Sequence, residues 1–199
     1  MYKMKMILKM LLNMQKKEKI SIAVRTGGHQ YSGFSSTSKN NIQLDLSEAF
    51  KCFNYDIKNN LLKVGVSYSL LDFDKKMEKY GLFLPHGICG YLYVGGHVQT
   101  GGYGLWINSF SIMSDNIYSF EIIKADSQKE IVTKKSNPDL YFAILGCNPG
   151  CYGILTNITF IPFHDKNYPY SCGLYAITLY NKDIFNKLIK FVVNMEKKS

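Results

Sequence analysis

Two glycines stand directly ahead of a histidine in VRTGGHQYSG, Val24 to Gly33, just after the apolar run KISIAV. A second stretch, GGHVQTGGYG from Gly95 to Gly104, carries five glycines and another histidine, His97. Such a density is not expected in a regular element and predicts backbone that approaches another group closely or takes positive φ. Each stretch follows a predicted strand, so several backbone N–H groups would converge on one concavity, which is how proteins hold a pyrophosphate. A third cluster, LGCNPGCYGIL, would complete a nucleotide-sized cradle. Neither G-x-G-x-x-G nor G-x-x-x-x-G-K-[ST] occurs, so a Rossmann or P-loop site is not supported. Taken alone, His29 reads as a polar turn residue.

The cysteines offer little metal chemistry. Cys52, Cys89, Cys147, Cys151 and Cys172 are odd in number and without a repeated spacing, so no disulfide framework is legible. Cys147, Cys151, His164 and Cys172 fit no common zinc spacing, and no metal is expected; buried inert thiols are the expectation. The formal net charge of +9 would suit an acidic partner. Yet of the 24 basic residues only Arg25 is arginine, and the lysines gather near the two ends as solvated helix faces, so nucleic acid is not expected as a partner.

The elements that must position these residues follow from periodicity. A chain of 199 residues, 46% hydrophobic, buries a real core in one medium domain or two small subdomains. MYKMKMILKMLLNMQKK reads as an amphipathic helix with Met4, Ile7, Leu8, Leu11 and Met14 on one face, rather than as a signal peptide. ISIAV, IQLDL and LLKVGVS read as strands, and LLDFDKKMEKYG as a helix stopped at Gly81. IYSFEIIKA and EIVTKK read as a hairpin around DSQK, PDLYFAIL as a short helix and GILTNITFIPF as a strand. GLYAITLY and NKDIFNKLIKFVVNMEKK read as a strand and an amphipathic helix beyond a polar boundary at HDKNYPYS. The pattern is α+β, and no stretch has the length of a membrane span.

AVRTGGHQYSG, HGICGYLYVGGHVQTGGYG, SDNI, NPDLYFAILG and GCYGILTNITF stand in one order along the chain, and in that order they resemble the FAD-linked oxidases of the berberine bridge enzyme type, within the vanillyl-alcohol oxidase/PCMH flavoprotein superfamily. The resemblance runs from about Ile7 to Pro162. It implies a PCMH-type FAD-binding domain of two α+β subdomains over residues 1–165, missing a first strand and helix, and the start of a substrate domain over residues 166–199. On that reading the chain is truncated at both ends and is the flavin half of an oxidase.

The resemblance also assigns residues. His29 occupies the place of the histidine bonded to the 8α-methyl of the isoalloxazine ring, a position suited to a neutral imidazole nucleophile. Cys89, eight residues before His97, occupies the place of the cysteine that bonds flavin C6 in bicovalent members; a small residue in a turn is the other reading. Arg25, Thr26, Gly27, Gly28, Gln30 and Tyr31 come with the first loop. Gly95, Gly96, Gly101, Gly102 and Gly104 match the second, with His97 either flavin-proximal or a loop-packing histidine. Gly150, Gly153 and Ile154 match the third, while Asp115 and Asn116 match a pair that fixes loop geometry.

Asn108 and Ser111, in INSFSI, and Cys147, Asn148 and Cys151 depart from the family pattern. The implied activity is oxidation of an alcohol or sugar, with dioxygen as acceptor and hydrogen peroxide as product; no residue here matches the catalytic base. The alternative is a flavin-binding protein without turnover. Relatives suggest a secreted or vesicular location, no clear signal peptide accompanies it, and the Asn157 sequon is weak support for it.

Overall fold

Alternation of apolar residues is what builds the central sheet. In the computed structural model, which describes residues 10–15, 17–38, 40–147, 149–169 and 180–197, strand β4 (Leu61–Gly65) buries Leu62 and Val64 completely. It pairs antiparallel with β3 (Phe53–Asp56) on one side and with β8 (Ile154–Phe160) on the other. Strands β6 (Ile117–Ile123) and β7 (Lys129–Val132) complete a five-stranded antiparallel sheet in the order β3-β4-β8-β6-β7. The middle strand, β8, is buried almost throughout, and its buried polar members Thr156 and Asn157 both donate to Glu121 Oε1, at 3.1 and 2.8 Å.

A separate parallel pair, β1 (Ile22–Arg25) and β2 (Ile42–Asp45), carries the first glycine loop at its end. Two short strands, β5 (Leu82–Phe83) and β9 (Phe163–His164), pair antiparallel. The fold is thus α+β, as expected. The hairpin, the strands at 22–25, 42–45, 61–65 and 154–160 and the helices at 70–78 and 138–144 all stand where periodicity puts them. Strands β3, β5 and β9 were not expected.

Helix α2 (Leu70–Glu78) shows how local chemistry sets an element. Ser69 caps it, its hydroxyl accepting from the Asp72 amide at 3.1 Å, and Leu70, Phe73 and Met77 share the buried face. The first free amides of the helix are also met from outside. Leu70 N–H donates to the Leu92 carbonyl at 2.8 Å and Leu71 N–H to the Gly90 carbonyl at 3.0 Å, which ties the Cys89 turn to the helix start. Phe73, Phe120 and Phe160 are the largest fully buried side chains, and Leu12 joins the same core.

Leu12 corrects the expected face of the first helix, α1, whose described part comprises residues 10–15 and 17–18. Leu12 is buried and Leu11 packs beside it, whereas Met14 is 47% exposed, because the face turned inward is the one that meets the core around Leu12. Met4, Ile7 and Leu8 lie outside the described residues. A second correction concerns α3 (Val94–Gln99), since the glycine-dense stretch does form a helix. Its reason is tertiary: a Cβ on Gly95 would sit 2.6 Å from Val66 Cβ, so only glycine lets this helix lie against the chain leaving β4.

The cysteines are corrected too. Cys52, Cys89, Cys147 and Cys151 are free and exposed rather than buried, because each stands in a loop between elements and not at an inward strand position. Cys172 lies outside the described residues. The Asn157 sequon lies in β8, where Asn157 is 4% exposed and its amide donates to Glu121 Oε1 at 2.8 Å. That amide nitrogen is not open to glycosylation in the folded chain.

Contacts divide the chain into two units, Met1–Asn167 and Tyr168–Ser199. In the second unit, the helix Lys182–Glu196 begins at Asn181, whose side-chain oxygen accepts from the amides of Asp183 at 2.9 Å and Ile184 at 3.2 Å. This helix stands where expected, and the strand expected at GLYAITLY lies outside the described residues. No described helix is long and apolar enough to cross a membrane, and no described group of three His, Cys, Asp or Glu side chains could hold a metal ion.

Candidate functional site

The three glycine loops meet. Within the first unit they surround one cavity of about 760 Å³, inside the roughly 300–1,000 Å³ typical of cofactor and ligand sites. Arg25, Thr26, Gly27, Gly28, His29, Gln30 and Tyr31 line it from the end of β1. Cys89 lines it from the turn anchored on α2, and Gly95, Gly96 and His97 from α3. Gly102 and Gly104 follow, and Gly150 and Gly153 close the wall from the third loop.

Four expected residues stand elsewhere. Gly101 is turned toward Ile112 and Ile154 is buried in β8. Asp115 and Asn116 form the 3-10 turn before β6, where Ser111 Oγ hydrogen-bonds Asp115 and Asn116 Nδ2 donates to the Ile112 carbonyl at 3.1 Å. Their hydrogen bonds lie within this turn, and neither residue lines the cavity.

The wall is bare backbone where a ligand would press. Gly96 is exposed within α3, and a Cβ there would meet nothing nearer than Thr26 Oγ1 at 4.0 Å. A glycine inside a helix costs about 1 kcal/mol relative to alanine, and no packing or φ requirement explains this one. It fits a bulky group lying against the helix backbone. Gly28 has φ +74° and lets the first loop turn sharply after β1, which brings its amides to the cavity edge. At Gly104 a Cβ would fall on the His86 carbonyl, so the loops on two sides of the cavity are in backbone contact.

Two nucleophile types face this space. His29 and Cys89 are both exposed and both line it. The chemistry of that donor set, an imidazole and a thiol on a wall of free backbone, fits a flat electrophilic ring system carrying a pyrophosphate, as in FAD.

His97 is a different kind of residue. Its Nε2 accepts a hydrogen bond from the Gly87 amide at 2.9 Å, which places the proton of the neutral ring on Nδ1. Burial, and then the positive charge of His86, hold its pKa down at about 4. His86 behaves oppositely. Burial alone would push it down, but its bond and ion pair with Asp74, together with the Gly87 carbonyl, outweigh that and raise it. Both ring nitrogens of His86 face acceptors, Gly87 O at 2.8 Å and Asp74 Oδ1 at 2.7 Å, an arrangement only the imidazolium satisfies. One histidine is therefore kept neutral at the cavity and its neighbour charged behind it, with Gly87 bonded to both. The loop-packing reading of His97 accounts for this geometry, and the ring also lines the cavity.

Sequence reasoning missed Tyr93 and Gln99. Both line the cavity, and Tyr93 packs so closely that a Cβ on Gly27 would lie 2.7 Å from its ring. Their position between glycine motifs was the only available signal.

Comparison with known proteins agrees with this geometry. An FAD-linked oxidoreductase of Dictyostelium discoideum is 29% identical over 189 residues, covering 89% of this chain and 41% of that protein. Aclacinomycin-N/aclacinomycin-A oxidase of Streptomyces galilaeus is 31% identical over 152 residues, 70% of this chain and 27% of its own length. The solved structure of wild-type BBE-like 1 from Physcomitrella patens superposes with a TM-score of 0.73 at 27% identity, over 79% of this chain and 34% of that one. The chain thus spans well under half the length of the relatives it matches. Residues 8–131 match the FAD binding domain family, and with the cavity described above this chain is a member of it.

Proposed function

We propose that this chain holds FAD for an oxidoreductase that oxidises an alcohol or sugar group, passing the electrons to dioxygen and releasing hydrogen peroxide. The reading is carried by one observation, that His29, Cys89 and all three glycine loops line a single cavity. Relatives of this chain include an oxidase, which supports the reaction type. Bound FAD would supply a two-electron acceptor for hydride taken from the donor carbon.

The chain's own residues would do the holding. Gly27, Gly28 and Gly150 present backbone close enough to seat a pyrophosphate, and Gly96 leaves α3 bare for a flat ring. His29 and Cys89 would each hold that ring by a bond that replaces one of its C–H bonds, the proton going to solvent and the two electrons to dioxygen, so that it stays through many turnovers. Neutral His97 would hold the Gly87 amide in place and bring no positive charge of its own to the cavity.

The test is the intact mass of the acid-denatured chain. Retention of the mass of FAD in the wild type and in each of His29→Ala and Cys89→Ala, with loss in the double variant, is the expected result. Complete release of flavin from the denatured wild-type chain would overturn the covalent part. Bound flavin that no alcohol or sugar bleaches would favour a flavin carrier without turnover.

A further inference from the structure

The third glycine loop departs from the family pattern in its residues, yet it still reaches the cavity, and one side chain explains how. Gly146 N–H donates to the backbone carbonyl of Gln99 at 2.8 Å, and Gly150 N–H donates to Gln99 Oε1 at 3.2 Å. Among the described residues, these are the two hydrogen bonds that tie backbone amides of 146–150 to another element. Both end on Gln99. The amide nitrogen of the same side chain donates to the Gly95 carbonyl at 2.7 Å, one turn back along α3, which locks its rotamer and aims Oε1 at the loop.

The loop has little else to hold it. Gly146 and Gly150 take φ of +97° and +84°, and a Cβ on either would meet nothing within 4 Å. Their glycine character therefore serves the turn and not packing. Cys147 and Cys151 are exposed on either side. A loop whose described side chains are not buried is positioned by its hydrogen bonds, and opens locally when they go.

We propose that Gln99 is a positioning residue: it latches Gly146 and Gly150 to helix α3 and so sets the shape of the cavity wall that Pro149 and Gly150 form. The proposal rests on the FAD reading for its consequence and on geometry alone for the latch. Losing the latch leaves α3 intact, because the helix does not depend on the Gln99 side chain for its backbone bonds. What changes is how often the wall is in place, and a ligand then binds only the fraction of chains whose wall is formed.

The experiment separates the two claims. Gln99→Met keeps the length of the side chain and removes acceptor and donor; Gln99→Glu keeps an oxygen for Gly150. In the flavin-free chain, amide hydrogen exchange of Gly150 should speed about tenfold in Gln99→Met and by clearly less in Gln99→Glu, which keeps the acceptor for Gly150 but loses the donor to Gly95, with His97 and Thr100 unchanged. In the same preparations, titration with FAD followed by flavin fluorescence should show about tenfold weaker binding for Gln99→Met. Unchanged exchange at Gly150 in Gln99→Met overturns the latch. Faster exchange with unaltered FAD affinity overturns its bearing on the cofactor. Failure of the wild-type chain to take up FAD overturns the cofactor reading, whereas the exchange rates still decide the latch.

Discussion

Acidification should open the site through His97 before it unfolds the rest of the chain. The ring is neutral in the fold, with a pKa of about 4 against 6.5 for a free histidine. Its folded pKa is depressed, so the stability it contributes is present above 6.5 and is lost as pH falls from 6.5 through about 4. At about 1.4 kcal/mol per pH unit that interval is worth about 3 kcal/mol. His86 works in the other direction and in another window. Its folded pKa is raised, so its contribution is fully present below 6.5 and is lost as pH climbs through the raised value. The two windows meet near 6.5, and the pair should give a stability maximum there.

The perturbation is His97→Asn, which cannot take up a proton and still offers an oxygen to the Gly87 amide. Urea unfolding at pH 4, 5, 6.5 and 8 should show the wild-type chain losing about 3 kcal/mol more than the variant between 6.5 and 4. The Cε1 proton resonance of His97 should titrate near 4 and that of His86 above 6.5. Parallel stability curves for the two proteins over that interval would refute the reasoning, and so would a His97 resonance that titrates at the ordinary value.

Other outcomes follow from single features. Glu121 is buried, and although burial raises its pKa, hydrogen bonds and charge from Lys129 and Lys63 with help from Asn157 bring it to about 2. Its depressed value means stability present above the unfolded 4.5 and lost as pH falls toward 2, so Glu121→Gln should cost about 3 kcal/mol at pH 7 and almost nothing at pH 2, read by thermal or urea unfolding. Gly95→Ala puts a methyl 2.6 Å from Val66 Cβ and should destabilise by about 1–3 kcal/mol while weakening FAD uptake, measured by unfolding and flavin fluorescence. Phe120→Ala, at a fully buried ring, should cost about 3–5 kcal/mol by urea unfolding with no specific effect on the flavin spectrum of the chains that remain folded.

Much of this was legible in the sequence because local rules and the final fold agree. Alternation in LLKVGVS and IQLDL, the buried spacing of Leu70, Phe73 and Met77 and the turn at DSQK are short-range signals, and each element stands where they put it. The three loops were readable as one cradle from glycine density alone. What escaped was set by contacts distant along the chain. Helix α3 runs through two glycines: Val66 requires Gly95, and the flavin proposed for the cavity would require Gly96, and neither reason is visible within residues 94–99. Strand β3 has only the four residues FNYD, whose Phe53 and Tyr55 pack on the core, and exists because β4 offers it an edge. Gln99 looked like filler between glycines, and its partners Gly146 and Gly150 lie some fifty residues on. Asp115 and Asn116 show the converse, since a motif adjacent to a site in sequence can shape a turn without reaching the cavity.

The most direct measurement of the central claim, that the glycine-walled cavity seats FAD, is the visible absorbance of the natively purified chain, compared with its protein absorbance and supplemented with free FAD if colourless. One flavin per chain is expected. A folded chain, its circular dichroism intact, that carries no flavin and takes up none would contradict it.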